Sequence, residues 1–565
     1  MTEKKFSYKK LVIFSIIIII IFSMMAVYSM GNLKNDVSEV TPTSVEIVKY
    51  SVYLDGINFV DCYYPSNNNG LNSSVFNTNF LMFGYTYNRE PIIKGNLNVT
   101  WFLPLPFNYE PNLTLWTHNV NSLGKGWAAA YRQTVGCAVG PSEANGIVYV
   151  ASNSGPIYGI NVYTGKIIFK LLLPGTLSMW MPLVYHGILY LGLGGAMFDY
   201  QQGLLNAYGG GHRGQYTGVS GLLAVNATTG KPLWFILTKS QAMPTGIIVN
   251  NTLVFDDGDG NIYGVNPFNG KILWKFSYDG SGNMASLDYY NGIVIAGFSE
   301  AYPVNTSAIV GVYIKNGSLA WIIKLPFAVT SSVGDAVPSV YNDYLVDGFL
   351  GYGSGHGPYL SDINAREVLL IANASTGKIL VLENVTNKTV HPSDTNNGYN
   401  PLVINGTIYL PTIAGTIEAF NLQGKLLWSS PQISNTVIQS APLLYKNYLI
   451  VTTGPNIVVL NASNGKVINI YHTPFIIRQQ PIIVGQTLIE TTSTNWVFAI
   501  PLTNIIYQTE VPPLNITNST QICFLSTNIT THSTSASNNY IILYVAVVII
   551  ILLVIGSIMA FRGKK

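Results

Sequence analysis

The sequence predicts an all-β protein, an eight-bladed β-propeller of four-stranded blades, flanked by N- and C-terminal transmembrane helices. Three observations carry the central prediction. A unit of roughly 40 to 50 residues repeats through the middle of the chain. Its apolar runs are strand-sized and bounded by Asn-Gly and Gly-Lys turns. Its last strand brings an aromatic residue that closes the unit.

One unit reads Asn145-Gly146, Ile157 to Asn161, Thr164-Gly165-Lys166 and Ile167 to Phe169. Another reads Asn251 to Phe255, Ile262 to Asn266, Asn269-Gly270-Lys271 and Ile272 to Phe276. The turn triplet recurs at Thr229, Asn316, Thr376, Gln423 and Asn464, with closers at Trp234, Trp321 and Trp428. Asn-Gly accepts the positive φ of a tight hairpin, and the Val, Ile, Tyr and Leu runs suit strands. A helical array of similar period is excluded, because Gly and Asn-Gly are too frequent and no 3.6-residue period is present. The second strands are expected near Ile147, Ile188, Leu253, Ile293, Tyr344, Ile408, Leu449 and Leu488. That makes eight blades, with seven as the alternative count, over a propeller at 113–512. Blade eight departs from the pattern, with Leu502-Thr503-Asn504 at the expected Gly triplet. Leu113 to His118 reads as an isolated fourth strand able to close the ring and remove a sheet edge. Residues 31–112 read as a small β-rich element stacked on it.

The ends of the chain set its expected location. Leu11 to Met30 and Tyr540 to Phe561 are each about 20 apolar residues, the length that spans a bilayer. Lys4, Lys5, Lys9 and Lys10 precede the first, and Arg562, Lys564 and Lys565 follow the second. The positive-inside bias places tails 1–10 and 562–565 in the cytoplasm and the body outside. The first segment also fits a cleaved signal peptide. Residues 513–539 form a Ser/Thr/Asn-rich stalk. Export makes Asn-x-Ser/Thr sites glycosylation candidates: Asn72, Asn98, Asn112, Asn226, Asn250, Asn305, Asn316, Asn373, Asn384, Asn387, Asn405, Asn461, Asn515, Asn518 and Asn528. It also predicts one disulfide, joining Cys62 to Cys137 or Cys523.

Composition narrows the function classes. Of 565 residues, 48% are hydrophobic and 10% charged, which excludes a disordered chain. The 53 Gly have no three-residue period, and three Cys are too few for a disulfide scaffold. A net charge of +3 without an internal basic run argues against a nucleic-acid partner. Without the seven basic tail residues and Glu3, 22 Lys/Arg face 25 Asp/Glu. A body so poor in charge changes little as carboxylates protonate, which suits an acidic exterior. The composition resembles that of cell-surface proteins of acid-living archaea.

The cores Gly258 to Asn266 with Asn269 to Trp274, and Gly415 to Leu422 with Gly424 to Trp428, resemble the pyrroloquinoline-quinone-like β-propeller repeat family over roughly residues 115 to 510. That resemblance implies the fold. The family includes quinone-dependent dehydrogenases and non-enzymatic assembly propellers. The dehydrogenases use adjacent cysteines, a calcium set and an Asp base, whereas Cys62, Cys137 and Cys523 are far apart. No cofactor is therefore expected.

Asp256, Asp257 and Asp259 could offer oxygens to a cation, but they sit where the repeat carries its ordinary turn. Two blades carry Gly-rich insertions between the second and third strands. They contain Tyr208, His212, Arg213 and Tyr216, and Tyr352, His356 and Tyr359. Aromatic residues and Arg anchor recognition surfaces, so these seven are the candidate binding residues. No catalytic or metal-ligating set stands out. The expectation is a membrane-anchored, non-catalytic binding or assembly scaffold for a cell-envelope protein or glycan. The alternative is an exported quinone- or metal-dependent oxidoreductase. A sensor would need a membrane partner, since the tails are too short for an output domain.

Overall fold

The computed structural model describes residues 47–511 apart from 72–78, 106–136, 138, 153–155, 174–177, 179, 195–218, 244, 281–285, 299–306, 326–336, 352–365, 386–399, 436–437, 439, 478 and 494. The chain forms eight sheets in sequence order, the blades of a propeller, antiparallel except where Ile92–Ile93 joins Ile482–Val484 in parallel. Blade 1 contains Ser142–Ala144, Ile147–Ala151, Pro156–Asn161 and Ile167–Leu172. Blades 2 to 6 repeat that order from inner strands Leu183–Tyr185, Ile247–Val249, Asp288–Tyr290, Ser339–Tyr341 and Leu402–Ile404. In blade 7 the second and third strands run together as Tyr448–Asn461, followed by Val467–Ile477. Blade 8 contains Ile482–Val484, Thr487–Thr491 and Trp496–Pro501. Every second strand begins within one residue of its expected start.

The turn chemistry explains the repeat. The inner hairpins turn at positive φ, as at Asn145 (56°) and Gly146 (80°). At the end of each third strand in blades 1 to 3 and 5 to 7, an Asn side chain accepts turn N–H groups. Asn226 Oδ1 receives Thr228 N (3.0 Å) and Thr229 N (2.9 Å). Asn461 Oδ1 receives Ser463 N (2.9 Å) and Asn373 Oδ1 receives Thr376 N (2.9 Å). At these three positions the Asn of the Asn-x-Ser/Thr pattern also builds a turn, its Oδ1 accepting the backbone N–H groups.

Blades are latched by the closing tryptophans. Trp274 Nε1 of blade 3 donates to Ile314 O in the turn of blade 4 (2.8 Å), and Trp321 of blade 4 donates to Ala374 O of blade 5 (3.1 Å). The turn glycine of the next blade lies on the same ring. A Cβ at Gly317 would fall 2.5 Å from Trp274 Cε3, and φ there is +71°. Only glycine meets both demands.

The ring closes differently from the expectation. The fourth strand of blade 8 is Trp101–Pro104, which pairs with Trp496–Ala499. Trp101 Nε1 donates to Val162 O of blade 1 (2.9 Å), with Gly165 against its ring, the same latch used elsewhere. Leu113 to His118 lies outside the described residues. The short helix Leu502–Tyr507 occupies the position of the missing Gly turn. The segment read as a stacked element is built into the ring instead. The hairpin Val48–Leu54 and Ile57–Tyr63 pairs with Phe169–Leu172 and extends blade 1 to six strands. Among the described residues no helix is long and apolar enough to cross a membrane. Flanking transmembrane helices are therefore not part of the observed architecture. The two apolar segments, the stalk and the tails lie outside the described residues.

Candidate active site at the mouth of the ring

Each inner strand runs from one end of the ring, the mouth, to the opposite turn face, which carries the tight hairpins. In all eight blades it is only three residues long, so second strands overrun it at the mouth. Ser339 pairs with Val346 and Ile482 with Ile489. The next residues, Asp347 and Glu490, therefore occupy the same level in blades 5 and 8, just beyond the inner strands. Asp256 lies one position further in blade 3, where Ile247 pairs with Val254.

The inner strands would leave a ring of bare sheet edges around the channel. Residues 79–93 cover most of them. Their carbonyls accept the central N–H of five inner strands: Phe80 O from Val184 (2.7 Å), Leu81 O from Ile248 (2.9 Å), Tyr87 O from Val340 (2.8 Å), Asn88 O from Val403 (3.4 Å) and Pro91 O from Ile483 (2.9 Å). Blade 4 is reached by a side chain. Arg89, fully buried, donates to Asp288 Oδ2 (3.1 Å), to Pro338 O (2.6 and 2.9 Å) and to Phe83 O (2.6 Å). Gln480 Nε2 donates to Arg89 O (3.0 Å) and fixes this plug to blade 8.

The interior is rich in carboxyls, most of them on inner and second strands, with Asp61 on the outer hairpin of blade 1. Asp61, Glu143, Asp256, Asp257, Asp288, Asp347, Glu367 and Glu490 are buried, against Arg89 and Lys170 as buried bases among the described residues. Burial raises them. Glu143 is pushed up to about 8, and Asp288 to about 7 despite Arg89 and nearby backbone N–H groups. Asp256, Asp347 and Glu490 are raised well above the usual carboxylate range, again by burial first. Glu490 Oε1 accepts Thr491 N (2.8 Å) and Asp347 Oδ1 accepts Gly348 N (2.9 Å). Glu490 Oε2, Asp347 Oδ2 and both oxygens of Asp256 have no hydrogen-bond partner among the described residues. All three carboxyls are buried, Asp256 and Glu490 completely and Asp347 almost so.

Within the acidic cluster seen in the sequence, Asp257 is the turn builder. It accepts Asp259 N (3.1 Å), Asn261 N (3.1 Å) and Tyr263 Oη (2.8 Å). Asp256 is the chemically open member. Cys137 is a free, buried thiol, pushed far up by burial and then by neighbouring Glu490, while Cys62 is disulfide-bonded. Among the described residues no group of three or more His, Cys, Asp or Glu could hold a metal ion. Cys62 and Cys137 are not an adjacent pair, so these residues do not fit the calcium–quinone arrangement of the family's dehydrogenases. Tyr208, His212, Arg213, Tyr216, Tyr352, His356 and Tyr359 lie outside the described residues. The strands preceding their insertions, Ile188–Leu193 and Tyr344–Gly351, end at the mouth. Sequence reasoning missed Arg89, Glu143, Asp288, Asp347 and Glu490. The available signal was an acid inside an apolar strand run, as in Tyr344-Leu-Val-Asp347 and Leu488-Ile-Glu490.

Comparison with known proteins decides the relationship. Residues 192–346 and 347–476 match the family described as outer membrane protein assembly factor BamB. The chain belongs to the PQQ-like β-propeller family. It is 32% identical over 386 residues to the tetrathionate hydrolase of Acidithiobacillus ferrooxidans, covering 66% of this chain and 74% of that protein. It is 29% identical over 512 residues to the tetrathionate hydrolase of Acidianus ambivalens, covering 82% of this chain and 89% of that protein. A quinohemoprotein alcohol dehydrogenase from Comamonas testosteroni shares the fold, with a TM-score of 0.50, 11% identity and coverage of 81% of this chain and 85% of that one. The two hydrolases overturn the expectation of a non-catalytic scaffold. Repeat geometry consumes most of the conspicuous residues, and the remaining acids are scattered singly over blades far apart in sequence, where no motif marks them.

Proposed function

We propose that the chain is an exported hydrolase of polythionates such as tetrathionate. The observation that carries this reading is the reach of the Acidianus relationship, 512 residues and 89% of that hydrolase. The dehydrogenase of similar coverage shares only 11% of its residues, against 29% for this hydrolase.

The mouth has suitable chemistry. Hydrolysis adds water across a bond of the substrate, so a group must take a proton from water and a group must protonate the departing sulfur. Tetrathionate is a dianion, which ionised carboxylates would repel. Buried carboxyls with raised pKa values are neutral in acid, do not repel the substrate and can donate a hydrogen bond. Glu490, Asp256 and Asp347 are the acid–base candidates, each with an unpartnered oxygen. His212, Arg213 and His356 are the sequence candidates for holding the sulfonate ends. The flanking apolar segments would anchor the enzyme, with its body outside the cell.

The test is to incubate purified protein with tetrathionate at pH 3 to 4 in oxygen-18 water. Consumption with label in a sulfur oxyanion product supports the proposal. No consumption above a heat-inactivated control refutes it. Turnover that requires added quinone and an electron acceptor would establish the oxidoreductase instead.

A further inference from the structure

The turn face carries a large excess of positive charge. Its turns between third and fourth strands hold Lys166, Lys231, Lys271, Lys378, Lys425 and Lys466, one on each of six blades. Lys315 and Lys446 add two more in the turns of blades 4 and 7. All but the partly exposed Lys231 are exposed. The sole acid in these described turns is Asp343, whose carboxylate is occupied by Ser375 N (3.0 Å) and Ser375 Oγ (2.7 Å). Described segments at the opposite end carry Asp55, Asp259, Asp279 and Glu383 together with Lys239 and Lys324. Among the described residues the turn face is therefore the more positive end of the ring.

Beside the lysines, the outer strands expose aliphatic side chains where they leave the turn. Ile272 and Leu273, Ile379 and Leu380, and Leu426 and Leu427 are each 37–51% exposed. Blades 2, 4 and 7 continue this rim. In blade 1 the equivalents Ile167 and Ile168 are buried under the Val48–Tyr63 hairpin. The chain also enters on this face. Val48 pairs with Tyr63, and Tyr64 N donates to Ile168 O at the turn end of the outer strand (2.7 Å). Sixteen residues, 31–46, separate that point from the apolar segment 11–30. Fully extended they reach roughly 50 Å.

We propose that the turn face docks flat on a membrane bearing anionic phosphodiester headgroups, with the aliphatic rim in the interfacial layer. The proposal is independent of the reaction. Cationic side chains and apolar area together are what bind proteins to anionic bilayers. Each lysine near such a surface contributes roughly fivefold in affinity. Screening acts over about 8–10 Å, so the lysines act together only if the face lies against the headgroups.

The test uses the full chain in vesicles of phosphatidylcholine, alone or with one-third phosphatidylglycerol, at pH 5. Backbone hydrogen exchange is read at the Gly-Lys turns and at the Asp259 and Asp279 turns. Expected is at least tenfold slower exchange at the Gly-Lys turns in anionic vesicles only, reversed by 1 M salt, with the opposite face unchanged. A chain with Lys271→Gln, Lys378→Gln, Lys425→Gln and Lys466→Gln should lose that protection and keep its circular dichroism. Equal exchange in both vesicle types overturns the proposal. So does protection that persists in lipid-free detergent, which would mean that a second copy covers the face.

Discussion

Replacing Arg89 with Met tests whether the plug holds the ring together. The substitution roughly keeps side-chain volume and removes the guanidinium contacts to Phe83 O, Pro338 O, Leu287 O and Asp288. Breaking one side of a fully buried ion pair costs about 3–5 kcal/mol. Asp288, pushed up to about 7, is neutral in acid, so at pH 4 the loss falls mainly on carbonyls left without a donor, about 2–3 kcal/mol in all. At pH 8 the unpaired carboxylate adds its own penalty and the full 3–5 kcal/mol applies. Large proteins often unfold irreversibly, so the assay is the unfolding rate in denaturant at both pH values. A loss of 3 kcal/mol accelerates unfolding on the order of 100-fold if the contacts are broken in the transition state. Protease cleavage within residues 79–93 should rise in parallel. If the variant unfolds at the parent rate at both pH values and residues 79–93 stay resistant, the plug does not bear the stability assigned to it.

Stability should fall as pH rises through about 7 to 8. Glu143 is raised to about 8, and Asp288 and Glu418 to about 7, so the folded state holds protons that the unfolded chain releases above about pH 4.5. Unfolding midpoints at pH 4, 6 and 9 read the trend, and a maximum at pH 9 would contradict it. Glu490→Gln and Asp256→Asn should each keep stability at pH 4 within about 1 kcal/mol, because an amide replaces a neutral acid. If either residue moves the proton, tetrathionate turnover drops by about 10²–10⁴ in that variant; full activity in both would remove them from the mechanism. Gly465→Ala should cost about 1–3 kcal/mol, since φ is +70° and the added Cβ would meet Trp428 Cε3 at 2.5 Å. An unchanged thermal midpoint would show that the latch yields freely.

The repeat was readable because its information is local. Asn-Gly hairpins, Gly-Lys turns opened by an Asn three or four residues before the Gly, and closing aromatics each specify a conformation within a few residues, so blade number and strand starts followed from the chain alone. The closing strand was not readable. Leu113 to His118 and Trp101 to Pro104 both look like free strands, and only the pairing with Trp496–Ala499 and the Trp101 contact with Gly165 selected the latter. Asn226, Asn373 and Asn461 match a modification pattern and also serve a turn through Oδ1, a second role that only the structure shows. The carboxyls of the mouth were least visible. Asp256, Asp347 and Glu490 lie on three blades separated by long stretches of chain, and each looks like an isolated acid in an apolar run. Turn type and strand period are fixed by neighbours in sequence. The company and protonation of a buried carboxyl depend on which blades the closed ring brings around it, and that was decided by tertiary structure.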